Sequence, residues 1–408
     1  MSGADGPAAA VEDSQVWDMD RGYVLPTYAR QPLEVVAGRG SEVQGADGRW
    51  YLDFVMGISV NNFGHCHPHV VKAVRDQVGR LVSCSNLYLT APQARLAARL
   101  SVHAEGGKVF FCNSGAEANE AAIKIARKRA QSRGQERIIA LQEAFHGRTM
   151  ATLSATGQPG KQKPFAPLLP GFTHVPANDV EVLRAAFASG GVAAFMAEPV
   201  QGEAGAKIVA PEYLQEAERL CRSADALLIL DEVQTGMGRC GSPFAYQRYG
   251  LDPDVVTLAK SLAGGLPMGA LIARNEAEGV LEAGDHGSTF GGGPVVAAAA
   301  LAMLDLLEQP GLFEEVEERG QRLEGWLLKL VEAGAAKEVR RLGLLAGVDV
   351  VQPVAKEVVA AGLTKGILLN ATSDVTLRFL PPLTVAESDI DRVGLFLQDE
   401  LVERCGKR

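Results

Sequence analysis

The segment Thr257-Leu-Ala-Lys260-Ser-Leu-Ala-Gly-Gly265 is a short apolar run that ends on a lysine and then on glycines. Upstream, Ala226-Leu-Leu-Ile-Leu-Asp231-Glu232 is an apolar strand pattern that ends on a carboxylate. An amine in an apolar setting can condense with an aldehyde to a Schiff base. A carboxylate at a strand end can hold a ring nitrogen protonated. Together these are the two groups that pyridoxal phosphate chemistry needs. The pair alone decides nothing, because strands often end in Asp and loops often carry Lys. The other chemistry-bearing segments have to be counted with it.

In Val109-Phe-Phe-Cys-Asn113-Ser114-Gly115-Ala116-Glu117-Ala-Asn119 a strand turns through Ser-Gly into a helix. The free N–H groups and dipole of such a helix start form an anion site, and glycine lets the backbone come close to a phosphate. An ordinary Ser-capped helix reads the same way. Phe145-His-Gly-Arg148 offers an aromatic to stack on a ring and an arginine to fork a carboxylate, or else a surface loop with a core Phe. Glu198-Pro-Val-Gln-Gly-Glu203 places two carboxylates where open α/β sheets hold their ligands. The hydroxyls of Gly287-Ser288-Thr289-Phe290 suit a phosphate, and a flexible loop is an equal reading. Arg378, inside the apolar run Thr376–Leu380, needs an acid partner, either structural or a substrate. Two patterns are weaker. Gly236-Met-Gly238-Arg-Cys-Gly241 matches a dinucleotide glycine pattern, but it neither directly follows a strand nor enters a clean helix. His65-Cys66-His67-Pro-His69 looks metal-like, yet it lacks a distant acid or thiol signature, so no metal is expected.

The elements that must position these groups come from the apolar pattern. Runs at Lys108–Cys112, Ile138–Leu141, Ala193–Ala197, Leu227–Leu230 and Val255–Leu258 read as buried strands, with helices such as Glu117–Arg129 and Pro211–Ala224 between them. That alternation predicts a mostly parallel α/β sheet. Short antiparallel strands are expected between Arg39 and Phe54. A helix should open at Pro68 with Val70, Val71, Val74, Val78 and Leu81 on its apolar face. Thr156–Gly171 reads as a loop. After Pro294 the chain should be helical to about Ala335, then give strands near Leu344–Val350 and Thr376–Leu380 and a last helix. The expected division is a flexible arm over 1–20, a segment over 21–70 that joins the smaller domain, a large domain over 71–294 and a small α+β domain over 295–408.

The 408 residues are 47% hydrophobic and 22% charged, a globular composition, and the net charge of −9 argues against nucleic acid or an anionic membrane as partner. Six cysteines without a C-x-x-C pair fit reduced thiols in the cytoplasm. No signal peptide or membrane-spanning run is apparent.

Taken in order, these motifs resemble the class III (subgroup II) pyridoxal-phosphate aminotransferases of fold type I, over nearly the whole chain after about residue 20. The resemblance implies a large domain with a mostly parallel, seven-stranded-type sheet. It further implies that Lys260 binds the cofactor as a Schiff base and shuttles the substrate proton, while Asp231 pairs with the pyridine nitrogen. Phe145 and Val233 would cover the ring faces, Gln234 would reach its 3-oxygen, and Ser114, Gly115, Ala116, Ser288 and Thr289 would bind the phosphate, Thr289 from the neighbouring subunit of a homodimer. Arg148 would hold the substrate carboxylate remote from the reacting amine, and Arg378 the α-carboxylate of glutamate. Glu203 would mask Arg378 when an ω-amine is bound. Isoleucine at Ile58, where ornithine-using members carry tyrosine, looks like the type that takes acylated ornithine, although members acting on 4-aminobutyrate share it. The implied reaction is transamination of N-acetylornithine with 2-oxoglutarate. Succinylornithine, ornithine, 4-aminobutyrate or a carrier-bound aminoadipate semialdehyde stay open as substrates. Two departures stand out: Ala116 where Thr is frequent, and Gly293 where Asn is usual.

Overall fold

The computed structural model describes residues 14–405. Its centre is a seven-stranded sheet in the order Lys108–Cys112, Gly269–Ala273, Val255–Leu258, Leu227–Asp231, Val192–Ala197, Arg137–Leu141, Phe172–Val175. Neighbours are parallel except at Gly269–Ala273, which runs antiparallel to both strands beside it. Val192–Ala197, Leu227–Asp231, Val255–Leu258 and Gly269–Ala273 are buried at every residue. Strands covered on both faces read as unbroken apolar runs, which is why the interior of the sheet shows in the sequence.

Two strands escape the pattern. Phe172–Val175 is a half-buried edge strand carrying Thr173 and His174. Gly269–Ala273 is built partly of Gly and Ala, which carry little strand signal. Helix Gly115–Ala130 buries a stripe of small residues, among them Ala118, Ala121, Ala122 and Ala126, and so lies close against the sheet.

A second sheet takes Val35–Arg39, Glu42–Gly45 and Trp50–Asp53, with Ile367–Leu368 from far along the chain as its fourth strand. A third, antiparallel sheet runs Ala336–Leu342, Leu345–Val350, Thr376–Phe379, Asn370–Ala371. Helices Leu312–Glu332 and Glu387–Cys405 pack together beside it.

Three expectations need correction. The arm over 1–20 is not loose throughout: Gln15–Tyr23 is a helix whose N-cap, Ser14, accepts from Trp17 N at 3.1 Å, while residues 1–13 lie outside the described part. Thr156–Gly171 is not a plain loop, since Pro159–Gln162 forms a helical turn and Lys163–Phe165 a tighter one. The helix from Pro68 stops at Val78: Val70 is buried and Val74 packs half-buried against the core, whereas Val78 and, beyond the helix, Leu81 are exposed. No single helix among the described residues is long and apolar enough to cross a membrane.

The glycine-rich run Gly236–Gly241 is a structural tie. Arg239 is fully buried. Its guanidinium donates to Ser59 Oγ at 3.0 Å, Asn62 Oδ1 at 2.6 Å, and the carbonyls of Leu344 at 2.9 Å and Pro381 at 2.6 Å. It thereby braces an uncommon turn: Met56, Gly57, Ile58 and Ser59 all have left-handed φ, between 50° and 65°. Asp53 Oδ1 holds the entry by accepting from the N–H groups of Val55 and Met56, both at 2.8 Å. Replacing Arg239 by methionine keeps the bulk but orphans these acceptors, each worth about 1–3 kcal/mol if left unmet. We expect a loss of about 3 kcal/mol or more, read as a lower urea midpoint; an unchanged midpoint would refute the tie.

Candidate active site

Five strands point their C-terminal ends to one edge of the large sheet, and each is followed by a segment of the site. Lys108–Cys112 leads to Asn113–Ala116, Arg137–Leu141 to Phe145–Arg148, Val192–Ala197 to Glu198–Glu203, Leu227–Asp231 to Val233 and Gln234, and Val255–Leu258 to Lys260. This edge is where open α/β sheets gather ligands. The segments enclose a cavity of about 420 Å³ lined by Ser114, Gly115, Ala116, Phe145, Asp231, Val233, Gln234 and Lys260, among others.

Lys260 has a left-handed φ of 46°, a strained setting for a residue with a side chain, and opens a short 3-10 turn closed by Gly264. Burial, reinforced by Arg378, pushes its amine down to about 8. Asp231 is buried. Its Oδ2 accepts from Asn119 Nδ2 at 2.7 Å and lies 2.7 Å from His146 Nδ1, while Oδ1 accepts from Val233 N at 3.0 Å. Asn119 is fixed in turn by Thr257, whose hydroxyl donates to Asn119 Oδ1 at 2.7 Å. Burial opposes charge on His146, but its bond to Asp231 outweighs this and raises its pKa.

Glu198 joins two loops, accepting from Phe145 N at 2.9 Å and Gly202 N at 3.3 Å, and burial raises it to about 7. Glu198, read from the sequence as one of two carboxylates at the ligand edge, also lines the cavity. Asn119 and His146 are the site residues whose roles here the sequence reading missed. Their partners are distant in sequence, and each belongs to a motif read for another residue.

Arg378 is almost wholly enclosed. Its NH1 donates to Gly202 O at 2.8 Å, Glu203 Oε1 at 3.2 Å and Gln234 Oε1 at 3.3 Å, and its NH2 to Asn370 Oδ1 at 2.8 Å. Burial acts to raise the Glu203 carboxyl, but Arg378 and Lys161 outweigh it and hold it below its ordinary value. Arg148 is exposed, its guanidinium carbon 5.5 Å from the centroid of the Phe145 ring. Ile58 is half-buried against the cluster of Val200, Leu345 and Leu380, and its turn neighbour Val60 lines the cavity.

Ser288 and Thr289 do not line the cavity of their own chain. They border a second one, of about 910 Å³, with Asn86, Phe110 and His286, and Ser288 accepts from Asn113 Nδ2 at 3.1 Å. The histidines of the 65–69 run diverge, His65 to Asp53 and His69 to Asp305, both at 2.8 Å.

These residues fit a phosphorylated pyridine aldehyde. Gly115 and Ala116 stand in the first turn of a 16-residue helix, where N–H groups lack intrahelical acceptors. A Cβ on Gly115 would lie 2.9 Å from the Val233 methyls, so glycine alone keeps that floor open. Asp231 presents a carboxylate already oriented by three donors to whatever enters the cavity beside Lys260.

The sequence profile of the family described as "Aminotransferase class-III" matches residues 24–400. The acetylornithine aminotransferase of Caldanaerobacter subterraneus subsp. tengcongensis is 46% identical over 388 residues, 94% of this chain and 98% of that protein. That of Methanocaldococcus jannaschii is 47% identical over 390 residues, 95% of this chain and 98% of that protein. A solved structure of the ornithine aminotransferase from Toxoplasma gondii, with PLP at partial occupancy in its active site, superposes with a TM-score of 0.90 at 33% identity, over 95% of this chain and 94% of that one. From strand ends to sequence profile the same assignment results: this chain belongs to the class-III aminotransferases.

Proposed function

We propose that the chain transfers the side-chain amino group of N-acetylornithine to 2-oxoglutarate, giving N-acetylglutamate 5-semialdehyde and glutamate, as a pyridoxal-phosphate-dependent homodimer of the cytoplasm. The observation that carries this reading is the ion pair of Glu203 with the enclosed Arg378 at the cavity edge. The site serves two unlike amino donors in turn. One brings an α-carboxylate to the reacting end and the other does not. An enclosed guanidinium left without a counter-charge is costly. Glu203 covers Arg378 while the ω-amine reacts and yields it to the α-carboxylate of glutamate.

When bound, pyridoxal phosphate supplies the electron sink that lets an amino group leave one carbon skeleton and join another. Lys260 attaches the cofactor and moves the proton at the substrate carbon; with its amine lowered to about 8, a useful fraction is neutral near neutral pH. Asp231, aimed by Asn119 and His146, keeps the ring nitrogen protonated. Phe145 and Val233 hold the two ring faces, and Gln234 reaches the ring oxygen. Ser114, Gly115 and Ala116 take the phosphate, joined by Ser288 and by Thr289 of a second copy. An exposed apolar stretch, with Leu87 87%, Tyr88 70% and Leu89 101% exposed, borders the 910 Å³ cavity and supports the two-subunit reading. Arg148 holds the carboxylate of N-acetylornithine remote from the reacting amine, and Ile58 forms the wall near the acylated end.

The test is a single turnover without keto acid, following the visible band of the holoenzyme. N-acetylornithine should bleach it quickly and free ornithine slowly; a band untouched by N-acetylornithine refutes the substrate. Glu203→Ala should slow the N-acetylornithine half-reaction about tenfold more than the glutamate one, since an uncovered charge at this burial costs about 1–3 kcal/mol. Equal slowing of both would rule out the switch.

A further inference from the structure

Glu203 touches a second cation. Its Oε1 is 3.2 Å from Arg378 NH1, and its Oε2 is 3.5 Å from Lys161 Nζ. The bond to Arg378 is longer than the roughly 2.7–2.9 Å of a short charge-assisted bond and the gap to Lys161 is longer still, so the carboxylate rests on Arg378 with Lys161 within reach of its other oxygen. Lys161 stands on the helical turn Pro159–Gln162, and both flanks of that turn are anchored. Gln158 Nε2 donates to the carbonyls of Glu143 at 3.0 Å and Ala144 at 3.2 Å. Gln162 Nε2 donates to those of Thr156 at 2.6 Å and Leu153 at 3.1 Å. The ammonium also lies 4.8 Å from the centroid of the Phe145 ring, the ring that Arg148 approaches from 5.5 Å. The side chain is only 25% exposed, about as enclosed as Glu203 at 27%. A lysine in solution has no need of such a setting. Here it is held next to the one carboxylate that has to change partners.

We propose that Lys161 is the receiving cation of the Glu203 switch: when the α-carboxylate of glutamate or 2-oxoglutarate takes Arg378, Glu203 closes onto Lys161 and so stays paired throughout. This rests on the reading of Glu203 given above. Without Lys161 the carboxylate would have to leave Arg378 for a poorly solvated position with no counter-charge, a costly move. A dicarboxylate would then compete against a carboxylate that has nowhere to go. The ω-amine half-reaction, in which Glu203 stays on Arg378, does not ask for the move. Lys161 is thus a positioning residue that acts through Glu203 and biases the enzyme toward the α-carboxylate substrate.

The experiment compares wild-type, Lys161→Gln and Lys161→Arg holoenzymes in both half-reactions. It adds calorimetric binding of glutarate, an unreactive five-carbon dicarboxylate. In Lys161→Gln, the efficiency of the glutamate half-reaction relative to that of the N-acetylornithine half-reaction should fall about tenfold, and glutarate should bind about tenfold more weakly. Lys161→Arg should restore both, and in a Glu203→Ala background Lys161→Gln should change neither. An equal fall in both half-reactions, unchanged glutarate affinity, or an undiminished effect in the Glu203→Ala background would each overturn the proposal. If wild type itself fails to react with glutamate and N-acetylornithine, the fault lies in the proposed function; if wild type performs both and only the Lys161 pattern fails, the fault lies here.

Discussion

Lys260→Ala should lose turnover by about 10⁴-fold or more, since the proposed function makes one residue both the attachment point and the acid–base group. The visible absorption of the cofactor bound at the lysine should vanish with it. A variant with normal turnover would overturn the assignment of the site. The same substitution has an opposite effect on the protein without cofactor. The amine is lowered from 10.5 to about 8 by burial and by Arg378, so the folded state disfavours the charged form. For a lowered base the penalty is fully present below the folded value and fades as pH rises toward the unfolded one. Alanine should therefore raise the melting temperature of the apoprotein below about pH 8, with the difference closing by pH 10 to 11. A gap that widened with pH would show that the ammonium is well accommodated in the fold.

Asp231→Asn keeps the shape of the side chain and removes its charge. Breaking one partner out of a buried charge pair costs about 3–5 kcal/mol, roughly 10² to 10⁴ in rate. The loss should appear in the single-turnover rate of both half-reactions, because both need the ring nitrogen protonated. Cofactor affinity should fall as well. His146, whose pKa is raised by its bond to Asp231, should lose that elevation and titrate lower in the variant. An asparagine variant within tenfold of wild type would mean that Asn119 and His146 orient a carboxylate with little bearing on the chemistry.

The parts of this molecule that showed in the sequence share a cause. A strand covered on both faces leaves an apolar run, and a run that stops on Asp231, or just short of Lys260 or Ser114, announces both a strand and the residue it delivers. What did not show depends on meetings between distant parts. Asn119 reaches Asp231 across 112 residues and His146 reaches it across 85, and nothing in either local pattern records the partner. Lys161 lay in a stretch whose Pro and Gly content suggested an open loop, whereas glutamine side chains bonded to backbone carbonyls hold it as a turn. The helix at Gln15–Tyr23 had one legible sign, the capping Ser14, overshadowed by the small and polar residues before it. Val78 and Leu81 were periodic and apolar yet stand exposed, because periodicity does not say what covers a face.

The turn at Met56–Ser59 has a consequence for how such an enzyme changes over generations. Four successive residues hold a conformation that L-amino acids with side chains disfavour by about 1–2 kcal/mol each, and only Gly57 adopts it freely. Ile58, β-branched, is among the least suited residues for a φ of 65°, and asparagine or glycine would relax there. Given the role proposed for Ile58, selection for heat tolerance and selection for the acylated substrate pull position 58 in opposite directions. A lineage under thermal pressure would tend to soften the wall proposed to tell its substrates apart, and one under pressure for fidelity would keep the tension and rely on Arg239 and Asp53 to contain it.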